Sequence, residues 1–352
     1  MKQEGTDFII RSLGAAAIPS AVTVSAFTPD DKRILFDSDL RQYRESRSAD
    51  VLPASLEVAG PREKLFFDPP KTKAAIVTCG GLCPGINDVI RSLVMELHHR
   101  YGVRNINGIR YGFRGMIPRF GHDVLELTPE VVDNIHTLGG SILSSSRGTQ
   151  DIGEIVDVLK RMNVDLFFCI GGDGTMRAAQ AVTEEIDRRH LNVSVIGIPK
   201  TIDNDLNFID KTFGFDTAIS EAIKAIQCAH VEAKGAPMGI GLVKIMGRQS
   251  GHIAVHAALA QNDVNFVLIP EVPFDLRGEK GFLKALENRL RQRQHCVILV
   301  AEGACQDLLQ PSAGEEIERD ASGNLKLKDV GIFLKNSIEE YCAGIGLEIN
   351  LK

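Results

Sequence analysis

The chain has 352 residues, 44% hydrophobic and 24% charged, a globular balance that excludes a largely disordered chain, a fibrous repeat or a coiled coil. At about 150 residues per domain this length points to roughly two domains. Forty Lys and Arg against 46 Asp and Glu leave a formal charge of −6; no global positive field favours nucleic acid or an anionic membrane, and any phosphate site must be local. Apolar runs such as Val297 to Ala301 are strand-sized, far short of the roughly 20 residues that span a bilayer. The N-terminal Met-Lys-Gln-Glu-Gly-Thr-Asp lacks the basic-then-apolar pattern of a secretory signal, so a cytoplasmic address is expected. Seven cysteines without metal-ligand spacing read as reduced, mostly buried thiols.

Residues 1 to about 70 lack a strong period and close on Pro69-Pro70, so they read as an N-terminal extension. From Lys73, β-branched runs alternate with stretches of helical spacing, the pattern of βα units around a buried parallel sheet. The predicted strands are Ala74 to Cys79, Leu166 to Ile170, Val193 to Ile198, Ile240 to Ile245, Phe266 to Ile269 and Val297 to Ala301, with a helix from about Asp88 to His99. Several strands run straight into Gly or Pro turns, at the edge where open α/β sheets bind ligands. The expected architecture is α/β in two halves, over about 71–210 and 211–352, with a cleft between them. Gly235 to Gly239 reads as the loop into the second sheet, and the polar stretch from about Gln310 to Lys328 as an exposed insertion or hairpin.

Three strand ends carry candidate chemistry. The first, Cys79-Gly80-Gly81-Leu82-Cys83-Pro84-Gly85-Ile86-Asn87, suits a phosphate cradle or a plain tight turn, having neither the Walker nor the dinucleotide spacing. The second, Gly171-Gly172-Asp173-Gly174-Thr175, sets a carboxylate beside bare backbone; Asp173 could hold Mg²⁺ on a triphosphate or cap the following helix. In the third, Pro199-Lys200-Thr201-Ile202-Asp203-Asn204-Asp205-Leu206, an extended segment would point Asp203 and Asp205 the same way, one accepting a proton while the other positions metal or polar groups. Lys200 and Thr201 are suited to neutralising and orienting a transferring phosphoryl, and a solvated acidic turn is the plain alternative. Arg147, before Gly148, and Arg248, in Met246-Gly247-Arg248, interrupt small-residue loops as candidate phosphate ligands or solvated charges. Glu302 could grip sugar hydroxyls or cap a helix. His252 and His256 lack an acidic partner at metalloprotease spacing and read as packing or surface residues.

On these motifs the chain resembles the 6-phosphofructokinase family, in particular the longer type found among plant and protist ATP-dependent enzymes and their bacterial relatives. The resemblance runs from about Lys73 to Lys352 and rests on the Gly80-Gly81 loop, Gly171 to Thr175, Pro199 to Asp205 and Met246-Gly247-Arg248. It implies two Rossmann-like domains with mainly parallel sheets and an active site in the cleft between them. It also implies transfer of the ATP γ-phosphoryl to the 1-hydroxyl of fructose 6-phosphate, with Asp203 as proton acceptor, Thr201 and Arg248 beside it, and Asp173 holding Mg²⁺. Gly81, Arg147, Gly148, Gly172, Gly174, Thr175 and Lys200 would serve the nucleotide. Thr201, Ile202, Asp203, Met246, Gly247, Arg248 and Glu302 would line the sugar-phosphate site. Homodimers or homotetramers are expected by the same analogy.

Pyrophosphate-dependent members of that family carry Asp where Gly174 stands and Lys where Lys200 stands, so these two positions disagree here. Gly174 weighs more, because Asp there would crowd and repel the α-phosphate, whereas Lys200 can contact phosphates of either donor; ATP is the expected donor. NAD and diacylglycerol kinases share a Gly-Gly-Asp-Gly-Thr turn but are disfavoured by Pro199 to Asp205. A nucleotide-binding subunit without catalysis is the non-enzymatic alternative. The stretch Leu347 to Lys352 reads as an unfinished connection. The resemblance implies a further Arg-bearing loop for the sugar, and residues 1–352 are expected to bind nucleotide better than fructose 6-phosphate.

Overall fold

The computed structural model describes residues 8–48, 53–207, 209–309 and 326–352; most of the expected insertion after Gln310 lies outside them. The chain forms two compact units, one of Met1–Leu82 with Ile86–Pro199, the other of Cys83–Gly85 with Lys200–Lys352. The division falls at Pro199/Lys200 rather than near Lys211, because hydrogen bonds to Thr212, Arg248 and Ser250 tie the turn after Lys200 to the second unit.

In the first unit β1 (Lys73–Thr78), β2 (Asn105–Ile109), β3 (Val124–Glu126), β4 (Leu166–Gly171) and β5 (Ser194–Pro199) form one sheet in the order β3-β2-β1-β4-β5. All neighbours are parallel except β2 and β3. Ala75, Val77, Phe167 and Cys169 pack with Ile155, Val156 and Leu159 of α2 (Ile152–Met162) and Val182 and Ile186 of α3 (Asp173–Arg188). α1 (Ile86–Met95) buries Ile86, Ile90 and Val94, one helical stripe. Asp151 starts α2 by accepting the Glu154 amide, and Asn163, left-handed at φ 52°, stops it. Within the stretch read as an extension, Ile18–Pro19 pairs with Lys64–Leu65, Arg33–Leu35 pairs with Ser55–Glu57, and Leu40–Ser48 is helical.

The second unit holds a wholly parallel sheet of β6 (Gly239–Ile245), β7 (Phe266–Leu268), β8 (His295–Ala301) and β9 (Asn350–Leu351), ordered β7-β8-β6-β9. Its central strand shows period-2 burial on both faces. Cys296, Ile298 and Val300 pack with α6 (Phe282–Arg293) and α7 (Val330–Gly344), while Val297, Leu299 and Ala301 pack with α4 (Phe215–Gly235) and α5 (His252–Ala260). The six predicted strands are therefore all present, with ends shifted by a residue or two. Unpredicted are β2, whose Asn-Ile-Asn-Gly-Ile is too polar to read as a buried run, the edge strand β3, and two-residue β9, which pairs Leu351 with Ile240. No helix among the described residues is long and apolar enough to cross a membrane.

A carboxylate fastens α6 to α7. Buried Glu287 accepts from Arg291 at 2.8 Å, Lys284 at 3.0 Å and the Tyr341 hydroxyl at 2.9 Å. These bonds, that from Arg291 foremost, hold its pKa down to about 2. A depressed carboxylate stabilises the fold above its ordinary pKa of 4.5 and loses that contribution as the pH falls toward about 2. Thermal melts from pH 6 to pH 2 are therefore expected to fall less steeply for Glu287→Gln than for the parent; parallel curves would contradict this role.

Candidate active site

In the first unit the strand order reverses around β1: the chain passes from β1 to β2 on one side, then returns to β4 on the other. Such a switch point leaves a crevice at the carboxyl ends of the two strands, here in register at Thr78 and Ile170. The Gly80 loop is anchored there. Its amide donates to the Ser146 carbonyl at 3.1 Å, its carbonyl accepts from the Ser145 hydroxyl at 2.6 Å, and the Thr78 hydroxyl donates to the Ser144 carbonyl at 2.6 Å. These bonds place Arg147 over the loop, its guanidinium 3.4 Å from where a Cβ on Gly81 would lie. Gly148 follows at φ +96°, with open space around it. Gly81, Arg147 and Gly148 are thus brought together.

The neighbouring strand end carries the acidic motif. Gly172 is the N-cap of α3 and Asp173 its first residue, so Asp173 does not cap the helix; the cap reading is corrected. Its carboxylate is exposed, beside the free amides of a helix N-terminus. Gly174 is exposed with open space at its Cβ position. Thr175 is buried against Gly171, where an added Cβ would lie 2.1 Å from the Thr175 hydroxyl; that glycine lets strand and helix meet. No group of three or more His, Cys, Asp or Glu able to hold a metal ion occurs among the described residues. Mg²⁺ takes one or two carboxylates and completes its shell with phosphate and water oxygens, so a single exposed carboxylate beside the free amides of a helix N-terminus suits a metal–phosphate ligand.

The second unit holds Asp203. The expected extended geometry is corrected: residues 202 and 203 bend and Asn204 is left-handed at φ +54°, so Asp203 and Asp205 do not share one strand face. The Thr201 hydroxyl donates to the Asp205 carboxylate at 2.8 Å and accepts the Asp203 amide at 3.1 Å. Asp203 Oδ2 accepts the Arg248 amide at 3.4 Å, while its other oxygen is buried and accepts no hydrogen bond from the described residues. Burial is the main cause that raises its pKa, with Asp205 and Glu302 adding to it against the Arg248 amide. Lys200 is buried in the same unit and acts electrostatically on Cys83, as does Asp203. Burial pushes the Cys83 thiol up, and its Sγ donates to the Phe213 carbonyl at 3.2 Å.

Parallel register brings the remaining predicted residues together, Ile245 partnering Ala301 so that Met246 and Glu302 leave adjacent strands. Gly247 is required, because at φ +131° a Cβ would lie 2.5 Å from the Ser250 carbonyl. Ile202, Met246 and Glu302 line one cavity of about 440 Å³, together with Thr217, Glu221 and Lys244 among others. Those three were missed in the sequence: Thr217 and Glu221 stand on α4, outside every motif, and Lys244 lies within the predicted strand Ile240 to Ile245. Its amine pairs with Asp329 at 2.8 Å. His252 and His256 do not converge as ligands, since His256 Nδ1 bonds the His252 carbonyl at 2.8 Å.

Residues 73–344 match the family model described as phosphofructokinase. The chain belongs to the phosphofructokinase family. An ATP-dependent 6-phosphofructokinase of Borreliella burgdorferi is 47% identical over 365 aligned positions, covering 100% of this chain and 80% of that protein. One from Amycolatopsis methanolica is 47% identical, covering 95% and 73%, and ATP-dependent 6-phosphofructokinase 7 of Arabidopsis thaliana is 50% identical, covering 84% and 60%. The phosphofructokinase fold is also seen in the likeness to a crystal structure of a pyrophosphate-dependent phosphofructokinase from Marinobacter aquaeolei. That match has a TM-score of 0.62 and 20% identity, covering 80% of this chain and 67% of the other.

A raised carboxylate pKa means that the charged group opposes folding, an opposition fully present above the folded-state pKa and relieved as the pH falls below it. Asp203→Asn is therefore expected to raise the thermal midpoint at pH 7, with the gain shrinking toward pH 4. An unchanged or lowered midpoint at pH 7 would contradict the account of a desolvated carboxylate.

Proposed function

We propose that the protein transfers the γ-phosphoryl of ATP to the 1-hydroxyl of fructose 6-phosphate, giving fructose 1,6-bisphosphate. The observation that carries this reading is Asp203: a desolvated carboxylate with one oxygen fixed by a backbone amide and the other buried, accepting no hydrogen bond from the described residues. An acceptor hydroxyl bonding to that second oxygen would gain a base whose raised pKa favours proton removal near neutral pH. Arg248 and Thr201 hold the base, and Ile202, Met246 and Glu302 shape the cavity assigned to the sugar phosphate.

Donor binding is assigned to Gly81, Arg147, Gly148 and Gly172 to Thr175 of the first unit, with Lys200 as a further phosphate cation. The glycine amides and the α3 N-terminus receive phosphate oxygens, Arg147 adds a planar donor, and buried Thr175 fixes the turn. When bound, Mg²⁺ supplies charge neutralisation on the transferring phosphates, and Asp173 is the residue assigned to hold it. Gly174 supports ATP over pyrophosphate by keeping the helix start free of a second carboxylate. A homodimer or homotetramer and a cytoplasmic address belong to the same reading.

Asp203→Ala is expected to lower kcat by about 10² to 10⁴-fold while ATP binding by calorimetry is retained; near-parental turnover would remove Asp203 from the base role. If ATP raised the melting temperature of the parent but no ADP formed with fructose 6-phosphate, the chain would be a nucleotide-binding subunit instead.

Open space at Gly174 means that Gly174→Asp should fold normally. A coupled assay is expected to show its ATP-dependent rate falling at least about tenfold through charge repulsion. An unchanged ratio of ATP to pyrophosphate use would count against this donor assignment.

A further inference from the structure

The Asp203 turn is gripped from one short loop. Arg248, Ser250 and His252 follow one another at every second residue and meet three successive acceptors. The Arg248 amide donates to the Asp203 carboxylate, the Ser250 hydroxyl donates to the Asp203 carbonyl at 3.2 Å, and His252 Nδ1 lies 2.9 Å from the Asn204 carbonyl. A carbonyl oxygen only accepts, so Nδ1 carries the proton in that contact. Ser250 is buried, and its hydroxyl also accepts the His252 amide at 3.2 Å, which links the two contacts. Glu271 braces the loop from beneath by accepting the Gly251 amide at 2.7 Å. On its other side the turn is held by Asn204, whose side chain accepts the Thr212 amide at 2.7 Å and donates to the Asp210 carbonyl at 3.2 Å.

Asn204 sits in the left-handed region, a conformation that costs free energy unless its surroundings enforce it. Releasing the Asp203 and Asn204 carbonyls frees that turn to relax and carries the carboxylate with it. We propose that Ser250 and His252 are positioning residues, which touch neither substrate nor donor but hold Asp203 in the orientation needed to accept the hydroxyl proton. This rests on Asp203 being the base, as proposed above. Displacing a reacting group by about 1 Å costs up to about 10²-fold in rate, so the signature of lost positioning is a fall in kcat without a matching rise in KM.

The test is steady-state kinetics on His252→Leu, His252→Asn and Ser250→Ala, with both substrates varied. His252 is exposed, so its variants should fold, and Asn places an amide donor near the position of Nδ1. Expected are a roughly tenfold fall in kcat for His252→Leu and Ser250→Ala, KM values within about twofold of the parent, and recovery of most of the rate in His252→Asn. Amide exchange over residues 201–205 should quicken in His252→Leu and return in His252→Asn, a readout that needs no turnover. Parental kcat in both deletions, a rise in KM alone, or no recovery with Asn would overturn the proposal. If Asp203→Ala is inactive while these variants behave like the parent, the clamp falls and the kinase reading stands. If Asp203→Ala stays active, the kinase reading itself falls.

Discussion

Parallel pairing is the constraint on which the rest depends. In a parallel ladder, strands in register end at one level, and every loop leaving their carboxyl ends emerges along one edge. In the first unit, Thr78 partners Ile170 and Gly171 partners Pro199; in the second, Ile245 partners Ala301. Those three pairs stand immediately before the Gly80 loop, the Asp173 turn, Lys200, Met246 and Glu302. Residues far apart in the chain become neighbours because hydrophobic burial on both sheet faces leaves the strands no freedom to slip.

Close approach is the second constraint, and glycine meets it at points where a side chain has no room. Gly171 admits Thr175, Gly247 admits the Ser250 carbonyl, and Gly303 admits the Arg248 carbonyl, which would otherwise lie 1.8 Å from a Cβ. The first joins a strand end to the helix after it, the second closes one loop on itself, and the third joins the loops that follow two adjacent strands. In each unit the backbone at these strand ends is thus held by sterics. Asp203 carries a cost of its own: it is desolvated, and one of its oxygens accepts no hydrogen bond from the described residues.

Much of this was legible in the sequence, since β-branched runs ending in glycine announce buried parallel strands and the loops after them. Family membership was legible too, because the four motifs keep their order. Other features were not. Asn105–Ile109 is a strand only because its neighbours bury it, a tertiary effect absent from its composition. The left-handed Asn204 overturned the expected alternation of Asp203 and Asp205, and it is held by its side chain, which accepts from the Thr212 amide and donates to the Asp210 carbonyl. Lys244, Thr217 and Glu221 gave no signal because a cavity wall is defined by tertiary packing. His252 was visible as one of a histidine pair, but its partner proved to be a backbone carbonyl that no side-chain motif reports.

The cysteines have a practical corollary. Six of the seven thiols are buried, and desolvation keeps those of Cys83, Cys169, Cys296, Cys305 and Cys342 protonated, which withholds the reactive thiolate. Cys228 alone is exposed, on the long helix Phe215–Gly235 whose other end contributes Thr217 and Glu221 to the cavity wall. A maleimide fluorophore or spin label should therefore attach to the native chain at one address, giving a reporter on that helix without mutagenesis.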